Sequence, residues 1–116
     1  MALEEEVVQF LKEVKELIRK GRWDFIPRKK NMEGLAALGL TILLAKREIM
    51  TLSVRHYDRG PLQDNDKPGE LWEFIKDIDS QEAYIKLKIN QRGCVCISFH
   101  PSIGLKTLPF AQNKGE

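Results

Sequence analysis

Three segments near the C-terminal end alternate between apolar and polar residues: "ELWEFIKDI", "AYIKLKIN" and "CVCISFH". Side chains of a strand point to opposite faces in turn, so each segment predicts a strand whose faces can be read by parity. In the first, Trp72 and Phe74 share a face and Glu73 takes the other. In the second, Ile85, Leu87 and Ile89 oppose Tyr84, Lys86 and Lys88. In the third, Val95, Ile97 and Phe99 oppose Cys94, Cys96, Ser98 and His100. The apolar sides must align in one sheet, because a slip of one residue would bury the lysines.

Aligning those faces across the second hairpin calls for an odd-numbered turn. Gln91-Arg92-Gly93 provides one, with Gly93 suited to a left-handed position. The register expected is Asn90 with Cys94, Lys88 with Cys96, Lys86 with Ser98 and Tyr84 with His100. The same reasoning sets Glu73 opposite Lys86 or Lys88. A meander with one apolar side then presents Glu73, Tyr84, Lys86, Lys88 and His100 together on its open side.

Upstream, "EEEVVQFLKEVKELIRKGRW" has the spacing of an amphipathic helix, with Val7, Phe10 or Leu11, Val14, Leu17 and Ile18 on one side and Gly21 as its stop. "WDFIP" is a short extended segment closed by Pro27. Asn31 is placed to cap a short helix "MEGLAAL", and Thr41 to cap a second, "ILLAKREIM", so that the two form a helical hairpin. "GPLQDNDKPG" is expected to be a loop and "LPFAQNKGE" a loose tail. The fold class is α+β, an antiparallel sheet with the N-terminal helix and the hairpin on one face. At 116 residues a single domain is expected, 1–116, with its core over about 3–100 and a tail over 101–116.

Charge narrows the partners. Six basic residues between Arg19 and Lys30 face Asp24 alone, and positions 83–115 hold five basic residues and no acid. Basic segments that converge on one face attract a polyanion; otherwise they are plain solvated surface. No apolar run approaches the roughly 18 residues of a membrane span, and "MALEEEVVQF" is unlike a signal peptide. No membrane partner and a cytoplasmic address are therefore expected.

A carboxylate, a tyrosine, lysines and a histidine on one open face suit a polyanion that undergoes acid–base chemistry. Cleavage of RNA needs a base for the 2′-hydroxyl, cations for the phosphorane, an acid for the leaving 5′-oxygen and a group that orients the nucleotides. A surface histidine beside a tyrosine, or lysines on the wet side of a sheet, also occur without function. Cys94, Cys96 and His100 raise the question of a metal. C-x-C-x-x-x-H lacks the paired C-x-x-C knuckles of a zinc site, so neither a metal nor another cofactor is expected, and the thiols are expected to be free. His56 is expected to be structural.

"VKELIRKGRW", the hairpin with "LG", "LSVRHYDRG", "LWEF", "YIKLKI" and "ISFH" follow one another in an order that resembles the MqsR family of toxins over roughly Val14 to His100. The resemblance implies a RelE-like fold and a metal-independent endoribonuclease that cuts mRNA and is silenced by a cognate antitoxin. It carries the family's functional positions onto Arg59, Glu73, Tyr84 and His100. Three of these four differ in residue type from the family pattern, where lysine, glutamine and lysine stand for Arg59, Glu73 and His100. The resulting expectation makes Glu73 the general base and His100 the general acid. Arg59 and Lys86 stabilise the phosphorane, Tyr84 orients the RNA, and Lys86 and Lys88 bind it. A noncatalytic RNA-binding module and a protein-interaction domain using the same basic face remain as alternatives.

Overall fold

The computed structural model describes residues 1–112. Its order is α1 (Glu4–Arg19), β1 (Trp23–Phe25), α2 (Lys29–Leu38), α3 (Ile42–Met50), a 3₁₀ turn (Val54–His56), β2 (Tyr57–Gln63), β3 (Glu70–Ile78), β4 (Gln81–Asn90) and β5 (Gly93–Pro101). The strands form one sheet in the order β1-β5-β4-β3-β2. The fold is α+β. The sheet is mixed rather than purely antiparallel, because β1 runs parallel to β5.

α1 buries Val7, Phe10, Leu11, Val14 and Ile18. Phe10 stacks on Trp72 with ring centroids 4.4 Å apart, so the helix closes the apolar side of the meander. Leu35 and Leu38 of α2 and Ala45 and Ile49 of α3 join the same core with Phe74, Ile85, Leu87 and Phe99. Gly39 ends α2 in the left-handed region at φ 73°, and the Thr41 hydroxyl accepts the Leu44 N–H to start α3, as the sequence predicts.

Asn31 differs from expectation. α2 starts at Lys29 with Arg28 as its cap, and Asn31 lies inside the helix, fully buried. Its amide donates to the carbonyls of Ile26 and Ile97, both at 2.9 Å, and its side-chain oxygen accepts the Phe99 N–H at 3.2 Å. β1 pairs only with Cys94–Cys96, so Asn31 continues the bonding of β5 where β1 has turned away.

The register of β4 and β5 is half as expected. Tyr84 pairs with His100 and Lys86 with Ser98, but Leu87 then pairs with Cys96, Lys88 with Val95, Ile89 with Cys94 and Asn90 with Gly93. Two changes of parity compensate. The Asn90 side chain accepts the Arg92 and Gly93 N–H groups and builds a two-residue turn, and an irregularity at Ile97 puts an extra residue into β5. Cys94 and Cys96 therefore face the core with Phe99 and are fully buried free thiols, while Val95 turns to the side of Lys88. Gly93 is required for space as well as conformation, since a Cβ there would lie 2.2 Å from the Arg22 carbonyl oxygen.

Four of the ten residues of the expected loop are strand. Gly60, Pro61, Leu62 and Gln63 belong to β2, which pairs with β3 through two irregularities, and only 64–69 remains a turn. The C-terminal segment is docked at Thr107, Leu108 and Phe110, while Ile103 and Leu105 before them are exposed. Asp58, buried, accepts the N–H groups of Thr107 and Leu108 at 2.6 and 3.1 Å, and Phe110 stacks on Tyr57 at 5.8 Å. The rest of the expected tail, 113–116, lies outside the described residues.

Candidate active site

Glu73 sits at the centre of the open sheet face, on β3 between Arg59 of β2 and Lys86 of β4. It is only 3% exposed. Arg59 donates to Oε1 through Nε at 2.9 Å and approaches it through Nη2 at 2.8 Å. The Tyr84 hydroxyl donates to Oε2 at 2.5 Å, and Lys86 Nζ lies 4.0 Å from the same oxygen. Both carboxylate oxygens are thus engaged, and the group is walled in by its own donors.

Tyr84 and His100, opposite each other in β4 and β5, bring their rings to 5.1 Å. Burial, then the hydrogen bond and charge of Glu73, push the Tyr84 hydroxyl well above its ordinary range, so it keeps its proton. Lys86 Nζ stands 5.9 Å from the Tyr84 ring centroid. His100 Nδ1 lies 3.0 Å from the Pro101 carbonyl oxygen. A carbonyl only accepts, so Nδ1 carries the hydrogen and Nε2 the lone pair. Burial, together with the charges of Lys30, Arg28 and Lys86, lowers the His100 pKa, while the Pro101 bond opposes the shift. His100 is therefore neutral near pH 7.

His100 is fixed from behind by α2. Gly34 packs on it so closely that a Cβ would lie 2.4 Å from His100 Cβ and 2.7 Å from His100 Cα.

Arg59, Tyr84, Lys86 and His100 line a cleft of about 330 Å³. Glu73 lies beneath them. Lys88 shares their face but not their cleft. It is 4% exposed, covered by the 64–69 turn, and its ammonium is 2.6 Å from Asp64 Oδ2. That bond, more than any other contact, depresses the Asp64 carboxyl to about 2. The cysteines point into the core, so Cys94, Cys96 and His100 do not converge, and no cluster of metal-ligating side chains occurs among the described residues.

The cleft is lined further by Arg28 and Lys30 from the start of α2, by Ser98, the β5 partner of Lys86, and by Ile103. None of these four is singled out in the sequence as a site residue. Their only signal there is the basic run from Arg19 to Lys30, which carries no indication of where α2 docks. A larger groove of about 970 Å³, beside α1, is lined by Glu5, Glu6, Glu13 and Glu70. Its charge repels a polyanion, so size is a poor guide to the site here.

The family described as "Motility quorum-sensing regulator, toxin of MqsA" matches residues 8–101. The chain belongs to this MqsR toxin family, and so is the toxin of a toxin–antitoxin system with an antitoxin as its partner. No curated protein and no solved structure is similar enough to match it. No helix among the described residues is long and apolar enough to cross a membrane.

Proposed function

We propose that the chain is an endoribonuclease that cuts mRNA in the cytoplasm with its own side chains as acid and base, and that its antitoxin silences this activity. The observation that carries the reading is the convergence of Arg59, Tyr84, Lys86 and His100 on one cleft over the buried carboxylate of Glu73.

The roles differ from those expected of the sequence. Glu73 is buried beneath the cleft with both oxygens already accepting hydrogen bonds, from Arg59 and from Tyr84, and so is badly placed to reach a 2′-hydroxyl. It serves as the fixed anion that aligns those donors. His100 Nε2, neutral and open to the cleft, takes the proton of the 2′-hydroxyl as that oxygen attacks the adjacent phosphorus. Arg59 and Lys86 offset the charge that builds on the phosphorane. The leaving 5′-oxygen takes the hydrogen of the Tyr84 hydroxyl, which turns from Glu73 Oε2 to the cleft, and the proton held by the neighbouring His100 then restores the tyrosine.

The test is cleavage of a long single-stranded RNA in EDTA. Wild type cuts, and His100→Ala loses about 10²–10⁴-fold. With His100 as base, the rate is level near neutrality and falls as pH drops through its lowered pKa. A rate that instead falls as pH rises through the imidazole range makes His100 the acid and refutes this assignment. Intact RNA under all conditions, with and without ribosomes, refutes the ribonuclease.

A further inference from the structure

The positive charge of the cleft is unevenly compensated. On the sheet side, Arg59 is paired with Glu73 and lies 3.9 Å from Asp58, and Lys86 is within 4.0 Å of Glu73. Two cations there face two carboxylates. On the α2 side, Arg28 and Lys30 have no carboxylate within ion-pair distance among the described residues, whereas the intervening Lys29 pairs with Glu33 at 3.9 Å. Both unpaired cations are exposed. Arg28 is anchored through Nη2 to the buried Ser98 hydroxyl at 2.7 Å, which leaves its remaining N–H donors for a ligand.

The same two residues break a local rule. The first turn of α2 contains no acid, and Arg28 provides no side-chain cap. Cations at this end of a helix oppose its dipole, where acids are usually found. Such local conflict is characteristic of functional positions.

We propose that Arg28 and Lys30 form a second phosphate subsite, which grips the RNA backbone at a nucleotide beyond the cleaved linkage. It rests on the ribonuclease reading above. The catalytic wall, nearly neutral overall, acts on one phosphate; the α2 wall supplies the attraction that draws the strand across His100. Lys29, held by Glu33, takes no part.

The experiment uses a fluorescent single-stranded RNA with 2′-O-methyl groups throughout, which lacks the nucleophile and stays intact. Binding is followed by anisotropy from low to moderate salt. Arg28→Gln/Lys30→Gln weakens binding and reduces the slope of log affinity against log salt by about 1.4, two single-strand contacts at about 0.7 each. Lys30→Gln alone, which gives up no internal bond, reduces it by about 0.7 and guards against a folding artefact. With cleavable RNA the loss falls on KM rather than on kcat. A wild type that binds and cuts, with variants of unchanged affinity and slope, overturns the subsite and leaves the ribonuclease standing. Variants that lose kcat at constant KM also overturn it. A wild type that neither binds nor cuts RNA overturns both.

Discussion

Gly34→Ala sets two effects of opposite sign against each other at the base of the proposed site. Gly34 lies in the interior of α2, where alanine normally stabilises a helix by about 0.5–1 kcal/mol. Here the new methyl would lie 2.4 Å from His100 Cβ, 2.7 Å from His100 Cα and 2.8 Å from the Phe99 carbonyl oxygen. Two of those atoms are backbone, so no rotamer change relieves the clash, and α2 and β5 must separate. Overpacking of this kind costs about 1–3 kcal/mol, and the absence of a soft neighbour puts it in the upper part of that range. The expected outcome is a net loss of about 1–2 kcal/mol. Because the displaced atoms carry His100, RNA cleavage falls by about 100-fold, the typical effect of a shift near 1 Å. Urea denaturation followed by circular dichroism reads the first, and a cleavage assay reads the second. Ala37→Gly, at an exposed position of the same helix, loses about 0.5–1 kcal/mol with little effect on cleavage. A Gly34→Ala protein that is more stable than wild type refutes the close approach of α2 to β5.

His56 Nδ1 accepts the Ser53 N–H at 3.0 Å, and burial, then Lys76, Arg55 and Lys15, lowers its pKa to about 4. The unfolded chain binds this proton more readily, so stability is lost as pH falls from about 6.5 toward 4, by about 1–2 kcal/mol once solvent screening of the half-buried ring is allowed for. His56→Gln flattens that limb in urea titrations at successive pH values, and an unchanged limb assigns the acid sensitivity elsewhere. Cys94, pushed up to about 12 by burial, and Cys96, raised for the same reason, leave a thiol reagent unconsumed until the chain is unfolded; rapid labelling of the native protein contradicts the inward register of β5. Lys86→Met lowers the salt slope of RNA binding, whereas Lys88→Met, whose ammonium is already bonded to Asp64, leaves it unchanged. Equal effects would place Lys88 on the RNA after all.

Parity made much of the sheet legible. The pairs Lys86 with Ser98 and Tyr84 with His100 follow from a period of two and from the need to bury one face, and the same reasoning brings Glu73 opposite Lys86 or Lys88, of which the turn of the first hairpin selects Lys86. The inward turn of Cys94 and Cys96 did not follow, because an Asn-built turn and the extra residue at Ile97 each reverse parity and neither leaves a compositional mark. The second half of β2 reads as loop because Gly60 and Pro61 are poor strand residues, tolerated here within an irregularity at the edge of the sheet. Arg59 was placed by resemblance alone. Arg28 and Lys30 depend on where α2 docks, which is a long-range contact through Gly34 and Asn31. Lys88 has the right face but lies under a turn, and alternation carries no information about what covers a residue.

The bonds of Asn31 have a consequence for the behaviour of many copies at once. A sheet margin with a straight row of free amides and carbonyls is a template on which further chains stack. At one margin, β1 shields three residues of β5 and the Asn31 carboxamide occupies the next groups along. At the other, Pro61 and the two irregularities of β2 break the row. Neither margin invites growth into a fibre, and on the β5 side one carboxamide hidden within a helix stands guard against it.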